Sequence, residues 1–140
     1  MRSPFAPIVK LKKESLEEAQ RALAQIVQAI THLQNQITQT KHALRELSMP
    51  QVGVGLQFRE LLLYRGQLQS MLKIQTQQLV AKEHEKNLAQ QHLNSVMVEF
   101  EKFQYLQTSQ EQAHLKALKK RDALHLDEVA IMGYNLQRES

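Results

Sequence analysis

Apolar residues recur at alternating steps of four and three along most of the chain. In the first third the repeat is almost unbroken, and its positions are Phe5, Val9, Lys12, Leu16, Ala19, Leu23, Ile26, Ile30, Leu33, Ile37, Thr40, Leu44 and Leu47. Only Lys12 and Thr40 are polar, so the repeat lasts about six heptads, where three or four already indicate a coiled coil. This pattern predicts a first helix over about residues 4–48.

A second repeat with the same steps follows in the middle of the chain. Its positions are Phe58, Leu61, Arg65, Leu68, Leu72, Gln75, Leu79, Lys82, Lys86, Ala89, Leu93, Val96 and Phe100. The polar members make this repeat weaker than the first, and Gly66 costs the helix about 1 kcal/mol relative to alanine. We expect a second helix over about residues 57–136, which is much longer than the first.

The sequence SMPQVGVGL separates the two repeats. Pro50 disfavours the helical conformation at Met49, so the first helix should end there. Gly53 and Gly55 give the backbone the freedom to reverse its direction. We therefore expect a turn at residues 49–56.

The two repeats mirror each other when the chain folds back at this turn. Positions whose residue numbers add up to 105 then face each other, which places Leu44 opposite Leu61 and Leu16 opposite Ala89. A slip by one heptad is the main structural alternative. The predicted fold is all-α, an antiparallel two-helix coiled-coil hairpin in a single domain over residues 1–140, with a longer, overhanging second helix.

The overhang begins after Phe100 in this register. Its repeat slips out of phase, because Gln110 and His114 continue it only weakly, while Leu115, Leu118, Leu126 and Val129 fall on other faces. An apolar helix surface without a partner in its own chain is expected to bind another protein.

Composition and charge exclude several functional classes. The chain has no cysteine and therefore no disulfide or thiolate metal site, and its six histidines lack the spacing of metal ligands. No serine lies in a nucleophile motif, and carboxylates on solvated helices have nothing to tune their pKa. The sequence contains no run of about 18 apolar residues, the length that a membrane span requires, and its N-terminus does not resemble a signal peptide. We expect a soluble, intracellular protein that is not an enzyme and uses no metal or cofactor.

Both ends of the sequence resemble the FliJ family, a small coiled-coil component of the flagellar type III protein export apparatus. The opening SPFAPIVKLKKESLEEAQRAL is similar to the family's apolar, basic and then acidic first helix, and HLDEVAIMGY is similar to its C-terminal signature. The length and the glycine-containing turn at mid-chain also agree. The resemblance covers essentially the whole chain.

This resemblance implies a cytoplasmic, stalk-like protein associated with the inner membrane through the export apparatus. The implied partners are the hexameric export ATPase, whose ring assembly such proteins promote, the cytoplasmic part of the export gate membrane protein, and the export chaperones. Nucleic acid and direct membrane insertion are not implied.

Residues expected to contact partners lie in two places on the second helix. An apolar strip near the turn is expected to bind the export gate, and a basic cluster with the acidic pair of the C-terminal signature is expected on the overhang. Matching the turn glycines also places family contact positions at Leu33, Ile37, Thr40, Leu44, Gln67 and Gln78. The residues of the strip, the cluster and the pair are Tyr64, Met71, Ile74, Lys116, Lys119, Lys120, Arg121, Asp127 and Glu128.

Two other functions fit the residues as well. One is a generic coiled-coil adaptor or export chaperone without an ATPase partner. The other is a nucleic-acid-binding rod that uses the basic clusters at residues 10–13 and 116–121, since the net charge is +4. Salt-dependent binding to random duplex would indicate the latter.

Overall fold

The computed structural model describes residues 4–47 and 55–139, and it contains two α-helices in these ranges. Helix α1 spans Ala6–Glu46 and helix α2 spans Gly55–Glu139. No residue in the described ranges belongs to a strand. The all-α, two-helix hairpin predicted from the repeats is therefore confirmed.

The helix ends follow from local sequence. The backbone N–H of Val9 donates a hydrogen bond of 2.8 Å to the carbonyl of Phe5, and Pro7 lies in the first turn, where its missing N–H costs nothing. Arg45 lies in the last turn of α1, where a positive charge favours the carbonyl end of the helix. Gly55 is the first residue of α2 and does not have a positive φ, so it does not make the reversal that we expected of it. Gly53 lies outside the described residues.

The chain divides into two compact units. One is Glu17–Ser95, and the other combines Met1–Leu16 with Val96–Ser140. Each unit contains a part of α1 and a part of α2. The expectation of one domain over residues 1–140 stays a prediction.

The seam between the helices uses the predicted positions of α1. All thirteen positions of the first repeat are buried or half-buried, and Ala19, Ile30, Leu33, Ile37 and Thr40 are the most buried residues of this helix. On α2 the second repeat is buried or half-buried except at Phe58, Arg65 and Lys86. The face that each helix presents to the other was therefore predicted correctly.

The pairing register within Glu17–Ser95 differs from the prediction. Thr40, expected opposite Arg65, has its Oγ1 atom 2.9 Å from Oε1 of Gln75 and 3.9 Å from Sδ of Met71. Further along, Ala29 and Leu33 line a groove together with Gln78 of α2. Both observations move each layer about one heptad along α2, so that Leu44 faces Leu68 rather than Leu61.

The unit made of both termini shows the same shift. The rings of Phe5 and Phe103 lie 6.3 Å apart, and Nζ of Lys12 lies 3.6 Å from Oε2 of Glu99. In the predicted register Lys12 would have faced Leu93, six residues before Glu99 and about 9 Å away along the helix. The shifted register places Leu16 opposite Val96, where we had expected Ala89.

A heptad shift leaves every apolar stripe in contact, so the repeat alone does not choose between the two registers. The polar positions distinguish the two registers. The shifted register pairs Thr40 with the Gln75 amide, and in the same register Ala19 faces Leu93, both of which are buried. The predicted register would have placed Lys86 near Glu18, but in the shifted register Lys86 lies about one heptad away from it and is exposed.

The shift also changes which parts of α2 extend beyond α1. Glu46, the last residue of α1, comes level with about residue 66, so the first three turns of α2 have no α1 helix beside them. At the other end, Phe103, Leu106, Gln107 and Ser109 are half-buried, whereas residues 111–137 are all exposed. The overhang therefore begins near residue 111 and not at 101. We call residues 111–136 the extension.

Candidate partner-binding surfaces

The two polar interruptions of the α1 repeat show how each unit accommodates them. Thr40 is buried, and its hydroxyl can donate to the carbonyl of Gln36 or to Oε1 of Gln75, both 2.9 Å away. Lys12 lays its stem along the seam, with Nζ near Glu99 and 5.6 Å from the centre of the Phe103 ring. Neither residue is left unsatisfied, so both positions belong to the packing and not to a partner surface.

The apolar strip predicted near the turn is accessible. Tyr64 and Met71 are each 48% exposed and Ile74 is 55% exposed, and steps of seven and three along α2 put them on one side of the helix. Met71 also contacts the seam through its sulfur, 3.9 Å from Thr40 Oγ1. The strip therefore borders the helix–helix seam, and one of its members contributes to both.

More apolar surface lies next to this strip than the repeats predicted. Leu56, Leu62 and Leu63 in the first three turns of α2 are all exposed. They were not predicted, because the predicted register places α1 beside this part of α2. The polar partners of Thr40 were the signal that could have corrected the register and revealed this surface.

The matched family positions on α1 lie elsewhere. Leu33, Ile37 and Thr40 are buried in the seam and Leu44 is half-buried, so they have little surface to offer a partner. Gln67 and Gln78 on α2 are exposed. Of the positions suggested by the resemblance, only those on α2 are available.

The extension carries the predicted charged residues. Lys116, Lys119, Lys120 and Arg121 are exposed, and Asp127 and Glu128 are exposed one to two turns further on. The structure brings the four basic residues together on two consecutive turns but keeps the acidic pair separate from them. Residues 111–137 contain four basic and four acidic residues, so the segment is close to neutral with its charges segregated.

Large apolar side chains surround these charges. Each is exposed in the chain by itself, and they are Leu115, Leu118, Leu124, Leu126, Val129, Ile131, Met132, Tyr134 and Leu136. They occur on several faces of the helix, because their spacings do not follow one heptad repeat. A helix that is apolar on several faces is typically one enclosed by other protein.

Within residues 4–47 and 55–139, no three His, Asp or Glu side chains are grouped as metal ligands. Neither α1 nor α2 contains a segment long and apolar enough to cross a bilayer.

A family model described as flagellar FliJ protein matches residues 1–139. The chain belongs to the FliJ family. It is therefore a component of the flagellar export apparatus, as the resemblance at its two ends implied. No curated protein and no solved structure matches this FliJ-family chain.

Proposed function

We propose that this FliJ-family chain acts as a central-stalk-like component of the export apparatus. In this proposal it binds the hexameric export ATPase, supports assembly of the ATPase ring, binds the export gate, and helps to escort chaperones and their substrates. Family membership supports a place in the apparatus, and the extension is the observation that carries the ATPase contact.

The extension has the surface of a helix that is enclosed when the protein works. An unpaired helix is only marginally stable in water, and here it exposes Leu115, Leu118 and other large apolar side chains on several faces. The lumen of a hexameric ring surrounds a helix on all sides, which a flat docking surface does not. Lys116, Lys119, Lys120 and Arg121 would meet acidic loops of the ATPase there.

The strip near the turn is the proposed contact for the export gate. Tyr64, Met71 and Ile74 form an apolar patch that the hairpin leaves accessible. Aromatic residues and methionine are enriched at the cores of protein interfaces, where each buries a large apolar area. These two contacts would hold a cytoplasmic protein at the inner membrane without a span of its own.

No catalytic role or cofactor is part of this proposal. Within residues 4–47 and 55–137 the carboxylates and histidines are exposed apart from the half-buried Glu99, and no three of them are grouped in a way that would hold a metal ion. The basic cluster is also a poor nucleic-acid site, because Asp122 follows it directly and Asp127 and Glu128 lie one to two turns further on. Repulsion by these carboxylates would weaken contact with a phosphate backbone.

Two variants that serve as controls for each other test the proposal. Deletion of residues 111–140 keeps every layer of the hairpin, so the melting temperature should change little while stimulation of the purified export ATPase is lost. Met71→Asp with Ile74→Asp should weaken binding to the cytoplasmic domain of the export gate and leave ATPase stimulation near the level of the unaltered chain.

The outcomes separate the proposal from its alternative. If both variants stimulate the ATPase fully and bind the gate domain normally, the chain is better described as a coiled-coil adaptor or export chaperone without these contacts. If the deletion unfolds the hairpin, the extension is part of the fold, and the assignment of the ATPase contact to it is wrong.

A further inference from the structure

One stripe of the extension has a regular heptad spacing of its own. Steps of three and four connect Leu115, Leu118, Asp122, His125, Val129, Met132 and Leu136. All seven side chains are exposed, including Leu118 at 38% and Val129 at 51%. The stripe therefore has apolar ends and a polar centre formed by Asp122 and His125.

This stripe lies beyond the part of α2 that α1 covers. In the shifted register Ala6, the first residue of α1, comes level with about residue 106, and residues 111–137 are all exposed. Helix α1 therefore does not cover the stripe.

The stripe is complementary to itself in an antiparallel pair. If Leu118 of one copy faces Val129 of another, then Leu115 faces Met132 and Asp122 faces His125. Each pairing occurs twice because the pair is symmetric. The carboxylate of Asp122 can accept a hydrogen bond from the imidazole N–H, so the polar centre is satisfied.

The charges beside the stripe agree with the same arrangement. Arg121 and Glu128 flank the stripe on one side, and antiparallel coiled coils bring such flanking positions together across the interface. Arg121 of each copy then lies next to Glu128 of the other. This pair of opposite charges occurs twice in the interface, once on each side of its centre.

A parallel pair has none of these contacts. It would place Asp122 against Asp122 and His125 against His125, so like groups would be apposed at the centre. Arg121 would lie near Leu126 of the other copy instead of near a carboxylate. A polar pair within a heptad stripe is a recognised device for selecting one orientation over another.

We infer that two copies of this chain associate through their extensions as an antiparallel helix pair. The stripe spans about three heptads, the shortest run that indicates a coiled coil, so we expect a weak and reversible dimer that forms at roughly micromolar concentrations. The inference does not rest on the ATPase contact. If both hold, self-association and the ATPase compete for one helix, and the dimer keeps the apolar stripe covered until the ATPase is bound.

Charge reversal tests this pairing directly on the full-length chain, by sedimentation analysis over a range of concentrations. Arg121→Glu alone and Glu128→Arg alone should each raise the dimer dissociation constant about tenfold, because each creates two like-charged contacts. An equimolar mixture of the two variants should restore dimers, because every flanking pair is then of opposite charge. Leu124→Asp, which lies outside the stripe, is the control and should leave the dissociation constant unchanged.

Cysteine crosslinking tests the orientation, since the chain has no cysteine of its own. A mixture of Leu118→Cys and Val129→Cys chains should form disulfide-linked dimers. Leu118→Cys alone should not, because its two copies lie about 17 Å apart in the antiparallel pair. A monomeric chain up to high micromolar concentration would overturn the inference, and so would efficient crosslinking of Leu118→Cys alone or failure of the charge-reversed mixture to dimerise.

Discussion

Helix α1 and the extension of α2 are both rich in leucine, isoleucine, valine and alanine, yet one is packed and the other is exposed throughout. The difference lies in the phase of the apolar residues and not in their number. In α1 they form a single stripe that one helix can cover. In the extension, residues such as Leu124 and Ile131 lie on a different face from Leu115 and Leu118, so one intrachain helix could cover only part of them.

The comparison explains why the two segments suit different tasks. A single stripe stabilises a hairpin by itself, because all of its apolar area is buried against one partner. A helix with apolar residues on several faces keeps part of that area for other molecules. Under the proposed function, α2 of this FliJ-family chain serves both purposes in different parts of its length.

The largest effect is expected from crosslinking that fixes the register of the packed part. Cysteines at Leu44 and Leu68 should crosslink within one chain almost completely with a short reagent, because these positions share a layer. Leu61 lies one heptad, about 10 Å along the helix axis, away from the layer of Leu44, so cysteines at Leu44 and Leu61 should crosslink poorly. The opposite result would restore the unshifted register and would place α1 beside Leu61.

Introducing a charged residue should destabilise the protein much more in the packed segment than in the extension. Ile37→Asp puts a carboxylate at a position that is 8% exposed, and we expect it to cost about 3 kcal/mol or more and to lower the melting temperature strongly. Leu124→Asp makes the same chemical change in the extension and should alter the melting temperature little. Equal destabilisation by the two changes in thermal unfolding would contradict the contrast between the packed and the exposed segment.

A smaller effect is expected from the polar layer at Thr40. A double-mutant cycle with Thr40→Val and Gln75→Leu should give a coupling free energy of about 1 kcal/mol in denaturant unfolding, because the two side chains are hydrogen-bonded across the seam. Each single change leaves a polar group facing an apolar one, whereas the double variant removes both. Strictly additive effects would show that the side chains do not meet in solution.

The smallest effect concerns the ion pair near the N-terminus. Glu99→Gln removes the carboxylate next to Lys12 while keeping the shape of the side chain, and the pair is partly exposed. We expect a loss of less than about 0.5 kcal/mol, and less still at high salt. Lys12→Met should be tolerated as well, since the lysine stem provides most of the packing. A loss of several kcal/mol for Glu99→Gln would mean that the pair is far more buried than its side-chain exposures of 35% and 44% indicate.

The seam was predictable from the sequence because the heptad repeat of α1 is long and nearly unbroken. Its phase follows from thirteen positions, and no other face of the helix competes with it. The register was not predictable from the same repeat, since sliding by seven residues keeps every stripe in contact. The register depends on the pairing of Thr40 with Gln75. In the sequence each of these polar residues only interrupts a repeat, and the structure is needed to show that they bond to each other.

The candidate surfaces were predictable to a lesser degree. The exposure of Met71 and Ile74 follows from their place beside the repeat. By contrast, Leu62 and Leu63 became candidates only when the register showed that α1 ends before reaching them. The sequence predicted an unpaired overhang but placed its start at residue 101 instead of about 111, because the predicted register differed by one heptad from the observed one. The stripe from Leu115 to Leu136 was not predicted, because the repeat of the packed part was continued at strict heptad steps through Gln110 and His114.

Hydrogen exchange across the whole chain tests the central claim most directly. It should be measured below the concentration of self-association, with and without the hexameric export ATPase. We predict slow exchange over about residues 66–107 in both samples, and fast exchange of residues 111–136 that becomes slow only when the ATPase is present. Fast exchange of the extension in both samples would contradict the proposed ATPase contact, and fast exchange over residues 66–107 would contradict the packed hairpin itself.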